Sequence, residues 1–224
     1  MGEIDGAFRA WGFCKGGNGT VSAAIAGAAI QHGATLRTES SVKQVLVRDG
    51  RVRGVALESG EELFAPVVVS GLDARRTYLQ LVDSRELPVE VVDEIRRFKF
   101  RGSSGKVNLA LSELPDFTCL PGVGPHHRGS ISISPSVDYL EHAFDDARAG
   151  GFSRRPYMDI IFPSAIDPNM APPGKHVASI FVQYAPYDID GGWTDAKREA
   201  FGDAVINTLS EYAPNLKSAI LHRQ

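Results

Sequence analysis

The strongest constraint on the fold lies in Gly16-Gly17-Asn18-Gly19 and the segment these residues open. Beyond the glycines, Val21, Ala24, Ile25, Ala28 and Ala29 recur at offsets of three and four, the spacing of one face of an amphipathic helix. Asn18 or Thr20 can cap its start, and Gly33 stands where a left-handed closing residue is wanted. Ala23, Ala26 and Gly27 leave the rest of the helix almost without bulk, which suits close approach to a sheet or another backbone. A tight turn feeding a sheet-packed helix is the expectation.

Strand signals follow. ATLRT, residues 34 to 38, reads as the strand after the helix, and Val42 to Arg48 is rich in strand formers. Asp49-Gly50 is suited to a tight hairpin turn, leading into a second strand at Val52 to Leu57. Ser59-Gly60 makes another turn, and Glu62 to Ala65 completes a three-stranded meander. Pro66 then introduces Val67-Val68-Val69-Ser70-Gly71, a continuous apolar run typical of a strand covered on both faces.

Past residue 74 the texture changes. Helices are expected at Ala74 to Val82 and Val89 to Phe98. In Lys106 to Ser112, Val107, Leu109 and Leu111 alternate with more polar or smaller residues, the pattern of a half-buried strand. Gly129 to Ser134, Tyr157 to Pro163 and His176 to Tyr184 read as further strands. Ser134 and Pro135 suit the cap and first position of a helix reaching Arg148. A last helix, Asp195 to Tyr212, carries Phe201, Val205 and Leu209 on one stripe. This mixture predicts an α/β (α+β) chain with an antiparallel-rich sheet and helices on one side. The change near Gly71 to Arg75 divides it into 1–73 and 74–224.

Composition narrows the function classes. At 224 residues, 43% hydrophobic and 23% charged, the chain can bury a sizeable core. A formal net charge of −3 argues against nucleic acid as the main partner. The local exception is Arg96, Arg97, Lys99 and Arg101 interleaved with Phe98 and Phe100, which reads more simply as a helix end followed by a strand start. Nothing resembles a signal peptide or a membrane span, so the expectation is a soluble, cytoplasmic chain. Cys14 and Cys119 lack metal-ligand spacing and are expected as ordinary buried thiols. His126 and His127, and Arg154 and Arg155, read as solvated loop residues, while Trp11 and Trp193 read as packing.

The glycine turn imitates a dinucleotide-binding loop, with a helix, a following strand and Glu39 about twenty residues beyond. The imitation fails because Ser22 occupies the position of the third glycine, and Phe8 to Lys15 makes a poor buried parallel strand. GxSxG, HExxH and P-loop signatures are absent. Asp145 with Asp146, and Asp188 with Asp190, are better read as a solvated helix end and a turn than as catalytic pairs.

The run from Trp11 to Tyr78, beginning WGFCKGGNGTVSAAIAG and continuing through VRDGRVRGVAL to VVVSGLD, resembles phytoene desaturase-related FAD-dependent oxidoreductases, relatives of the flavin amine oxidases. The likeness continues more weakly through FRGSSGKVNLALSELPDF. It implies that Val42 lies on a strand whose backbone hydrogen-bonds the adenine of FAD. It also implies that Ser70 and Gly71 end the returning strand beside the cofactor; Gly71 stands where the family pattern has Asn.

By this resemblance, 1–73 is a partial FAD-binding domain with a β-meander, lacking the GxGxxG unit, and 74–224 is a substrate-binding domain. The expected function is that of part of an FAD-dependent oxidoreductase that moves hydride from a substrate C–H to the flavin. The chain alone is expected to bind FAD weakly or not at all, to be inactive, and to halt at His222-Arg223-Gln224 without a terminal element. Its expected ligand is an apolar small molecule walled by the strands at 106–112 and 176–184. No catalytic residue is nominated and no metal is expected. The alternative is a non-enzymatic lipid-binding or oligomerising module, with peripheral membrane contact and self-association through an exposed FAD-domain surface, around Val67 to Val69 and the small-residue helix, both left open.

Overall fold

The structure, a computed structural model, describes every residue except Met1, Asp5, Trp11 and Phe100. Packing by Trp11 and the contribution of Phe100 to the cationic strip therefore lie outside the described residues. In chain order the first elements are β1 (Gly2–Ile4), β2 (Ala7–Ala10), α1 (Asn18–Gln31), β3 (Val42–Arg48), β4 (Arg51–Leu57), β5 (Glu62–Phe64), α2 (Ala74–Arg76) and α3 (Val89–Arg97). There follow β6 (Ser104–Leu111), β7 (Ile131–Ile133), α4 (Val137–Arg148), β8 (Tyr157–Ile161), α5 (Pro163–Ile166), β9 (His176–Gln183), α6 (Asp195–Ser210), α7 (Leu216–Ala219) and β10 (Ile220–Arg223). They form two compact units, one of Met1–Ile25 with Arg101–Gln224, the other of Ala26–Phe100. The sequence boundary near residue 73 falls inside the second of these.

In the larger unit, an antiparallel sheet runs β10-β6-β9-β8-β7. Alternation along β6 buries Val107, Leu109 and Leu111 on one face, joined by Met158, Ile160, Ile180 and Val182 from β8 and β9. Phe201, Val205 and Leu209 of α6 pack into the same core, as their helical spacing predicts. Full burial of each such side chain contributes about 1.5–3 kcal/mol before conformational entropy is charged against it. The opposite side of the strands therefore carries the intervening residues, among them Lys106, Asn108 and Ser179, with Asn108 paired to Ser179 across β6 and β9.

The smaller unit holds the expected meander, β3-β4-β5. Asp49 and Gly50 both adopt positive φ, 52° and 67°, as a two-residue turn of this hand requires. Gly54 is fixed more severely, because a Cβ there would lie 2.0 Å from the Leu63 carbonyl oxygen.

Several expectations are corrected. Residues 34 to 38 and the Val67 to Ser70 run form no strand, and Val67 and Val69 are 72% and 89% exposed. An apolar run becomes a buried strand only beside neighbours that accept its hydrogen bonds, and this unit's sheet is complete without them. α1 also buries none of its residues, although its extent and the positive φ of Gly33 match the reading. Ser136, not Ser134, caps α4, accepting from the Tyr139 N–H. The segment 74–82 divides into α2 and a π-type turn, Thr77–Leu81. The chain also ends in a strand: β10 pairs antiparallel with β6.

Cys14 and Cys119 are exposed. The histidines depart furthest from a solvated loop. His127 is 1% exposed among Phe117 and Phe162, its Nδ1 accepting from the Gly124 N–H and its Nε2 facing the Pro115 carbonyl at 2.9 Å. That bonding fixes a neutral tautomer protonated at Nε2. Arg154 and Arg155 are ion-paired with Asp146 and Glu211.

Candidate active site

The glycine turn is built by hydrogen bonds as well as by conformational freedom. Gly16 and Gly17 take φ of 85° and 83°, values that disfavour side chains. The Gly17 N–H donates to the Cys14 carbonyl, while the Thr20 hydroxyl and amide both reach the Gly17 carbonyl. The Gly16 N–H donates to Asp167 Oδ2 at 2.8 Å. Asp167 also caps the turn at Pro168–Met170 by accepting from the Asn169 N–H. The Gly16 amide, then that of Asn169, hold the Asp167 carboxyl below its usual pKa. A side chain at Gly17 would meet Met170 Cε at 3.1 Å, so the turn lies directly on that segment.

Between this turn and the polar side of the sheet is a cavity of about 800 Å³, entirely within the larger unit. Phe13, Ile161, Ile166, Met170 and Val177 supply apolar wall. Lys106, Asn108, Ser179, His222 and Gln224 gather at its sheet side, and Lys15 and Asn18 at the turn. Among the described residues Asp167 supplies the cavity's one side-chain carboxylate, already engaged by amide donors. Such a volume falls in the range of ligand sites, with an apolar majority and a few polar groups to orient a guest. The alternation of β6 and β9 therefore does bring 106–110 and 177–179 together at one cavity.

The sequence-derived cofactor residues lie in the smaller unit. Val42 opens β3, pairs with Leu57 and is 37% exposed. The Ser70 hydroxyl is 2.8 Å from that of Thr77 and accepts from the Leu72 N–H at 3.3 Å. Gly71 is exposed, with open space where a Cβ would stand. Both segments border the π-type turn: β3 packs on Thr77–Leu81, and Ser70 bonds its first residue. Asp167, His222 and Gln224 escaped the sequence reading. Asp-Pro at 167–168 was an available turn signal, whereas nothing local announced that the last residues pair with β6.

The chain is 39% identical to a pyridine nucleotide-disulfide oxidoreductase domain-containing protein 2 of Rattus norvegicus, covering all of this chain and 40% of that protein. It is 28% identical to a phytoene desaturase (neurosporene-forming) of Rhodobacter capsulatus, over 89% of this chain and 37% of that one. By sequence the chain is thus similar to part of an oxidoreductase domain-containing protein and to part of a phytoene desaturase. No protein-family model matches it. An oxidoreductase from Methanosarcina mazei shares the fold, with a TM-score of 0.61 and 18% identity over 94% of this chain and 42% of that chain. The chain thus spans about two fifths of the length of the curated proteins it matches.

Proposed function

We propose that this chain serves an FAD-dependent oxidoreductase of the desaturase type. The larger unit binds the substrate, and Val42, Ser70 and Gly71 of the smaller unit border the adenine side of the cofactor. The observation that carries the reading is the cavity itself: a sheet that packs its apolar face on the helices turns its other face, with Lys106, Asn108 and Ser179, to a half-open, ligand-sized volume. The cofactor residues fit an adenine in one respect, a strand start beside a glycine whose side-chain space is open. FAD, when bound, supplies a hydride acceptor for a substrate C–H. The chain's own residues orient and enclose an apolar small molecule, with Lys106, Asn108 and Ser179 available to a polar end.

The sequence contains no GxGxxG, so we expect this chain alone to retain FAD weakly or not at all. Nitrogen-15 NMR of the full chain with ADP, FAD or FMN tests the assignment. ADP and FAD should shift the Val42, Ser70 and Gly71 amides, FMN should not, and no flavin absorbance should copurify. Shifts with FMN alone, or saturable ADP or FAD shifts that spare Val42, Ser70 and Gly71, would overturn the cofactor placement.

A second reading, a non-enzymatic oligomerising or lipid-binding module, draws support from exposed apolar residues. Ile25, Val67 and Val69 are 66%, 72% and 89% exposed, and isolated apolar patches favour association. No helix among the described residues is long and apolar enough to cross a membrane. Cytoplasmic residence and an absence of nucleic-acid partners belong to the same proposal. Sedimentation separates the readings: monomers at high concentration disfavour the module, and self-association without any nucleotide response favours it.

A further inference from the structure

The short helix α5 is a shared wall. Its Pro163 and Ile166 line the cavity already described, whereas Ser164 and Ala165 line a second pocket of about 310 Å³ in the same unit. That volume is at the small end of ligand sites, roughly 300 to 1,000 Å³. Leu114, Val123, Pro172 and Pro173 make its walls apolar. Among the described residues its charged and titratable lining is of one kind: Arg128, Lys175, His127 and His176, with no carboxylate.

Among the described residues no ion pair engages Arg128 or Lys175. The acid nearest Lys175 in sequence, Asp167, lines the other cavity and is held by the Gly16 and Asn169 amides, while Asp116 accepts from the Gly122 amide and Glu113 from the Asn215 side chain. The histidines are anchored. Both His127 nitrogens are engaged, and His176 Nδ1 lies 3.2 Å from the Ser164 hydroxyl, which also accepts from the Val177 N–H. Burial, then the neighbouring His127, holds His176 below the usual imidazole pKa, so the standing positive charge belongs to Arg128 and Lys175.

An apolar-walled pocket with two uncompensated cations and a fixed hydroxyl is complementary to a small amphipathic anion. We propose that this second pocket binds a small carboxylate carrying an apolar body, its carboxylate held by Arg128 and Lys175 and its body against Leu114, Val123 and the prolines. The site does not rest on the oxidoreductase reading, because the two pockets have only α5 and Pro168 in common and the second draws no residue from β6 or the glycine turn.

Sodium octanoate below its micelle concentration is a direct probe, followed by nitrogen-15 NMR of the full chain. Saturable shifts are expected at Ser164, Ala165 and His176. Octanamide, which lacks the charge, and acetate, which lacks the body, should each bind at least about tenfold more weakly. Arg128→Gln combined with Lys175→Gln should weaken octanoate by a similar factor. Val123→Glu, at a position 80% exposed, should do so without touching a cation or the core. Equal binding of octanamide or acetate, unchanged binding by both variants, or shifts confined to Asn108 and Ser179 of the first cavity would overturn the proposal.

Discussion

Gly105 offers a sharp test of how α6 seats the five-stranded sheet. Gly105 lies on β6 beside Lys106, and a Cβ there would sit 2.7 Å from two ring carbons of Phe201 and 3.1 Å from Ala185 Cβ. Carbon contacts relax near 3.5–4.0 Å, so Gly105→Ala demands that ring or strand move by roughly 1 Å. The ring has little freedom. It meets Phe152 and Trp193 edge-on at centroid separations of 5.5 and 5.8 Å, and the Trp193 indole N–H is tied to the Pro186 carbonyl. Overpacking of this kind costs about 1–3 kcal/mol. A β-strand alanine recovers about 0.5–1 kcal/mol through reduced freedom of the unfolded chain. The net expectation is a loss of about 1–2 kcal/mol, or about 2–4 °C in Tm for each kcal/mol lost.

Phe201→Leu should itself cost about 1–2 kcal/mol, since it opens space in the core. In the double variant the new methyl fills part of that space. Its destabilisation should therefore fall short of the sum by about 1 kcal/mol. Urea unfolding of the four proteins measures the cycle. A Gly105→Ala protein as stable as the parent, or strict additivity with Phe201→Leu, would refute the claim that this close approach limits the residue at 105.

Other outcomes follow from single contacts. His127→Leu leaves the buried Pro115 carbonyl without its imidazole donor, which should cost about 1–3 kcal/mol in urea unfolding; a neutral result would contradict the fixed tautomer. Gly54→Ala cannot keep its φ of 152° with Leu63 so near, so the amides across β4 and β5 should lose hydrogen-exchange protection while β6 and β9 keep theirs. Asp167 has a lowered folded pKa, so its stabilisation is complete above the unfolded value, about 3.9, and is lost as pH falls through the lower folded value. The Gly16 amide shift should therefore titrate with a midpoint below 3.9, and one at or above that value would show that the Asp167 bond is absent in solution.

What could be read in advance separates along physical lines. The meander was legible because Asp49-Gly50 and Ser59-Gly60 are local turn chemistry, and the five-stranded sheet because Val107, Leu109 and Leu111 alternate without help from distant residues. The Phe201, Val205 and Leu209 stripe of α6 was legible for the same reason. Val67 to Val69 shows the limit of that logic, since composition reports what a segment would bury and not whether a partner is present to cover it. His126 and His127 fail differently: a histidine pair carries no sign of the Phe117 and Phe162 rings that close over it.

The cavity required one more long-range fact. β10 must pair with β6 before His222 and Gln224 reach the volume walled by Lys106 and Asn108, and mutual backbone bonds between Asn108 and Gln224 fix that meeting. Asp167 performs the corresponding task across 151 residues of sequence, binding the Gly16 amide and so setting the turn against Met170. The first coupling joins backbone to backbone and the second a carboxylate to a backbone amide, and a backbone group leaves no mark in the sequence, which is why the strands were readable while the site beside them was not.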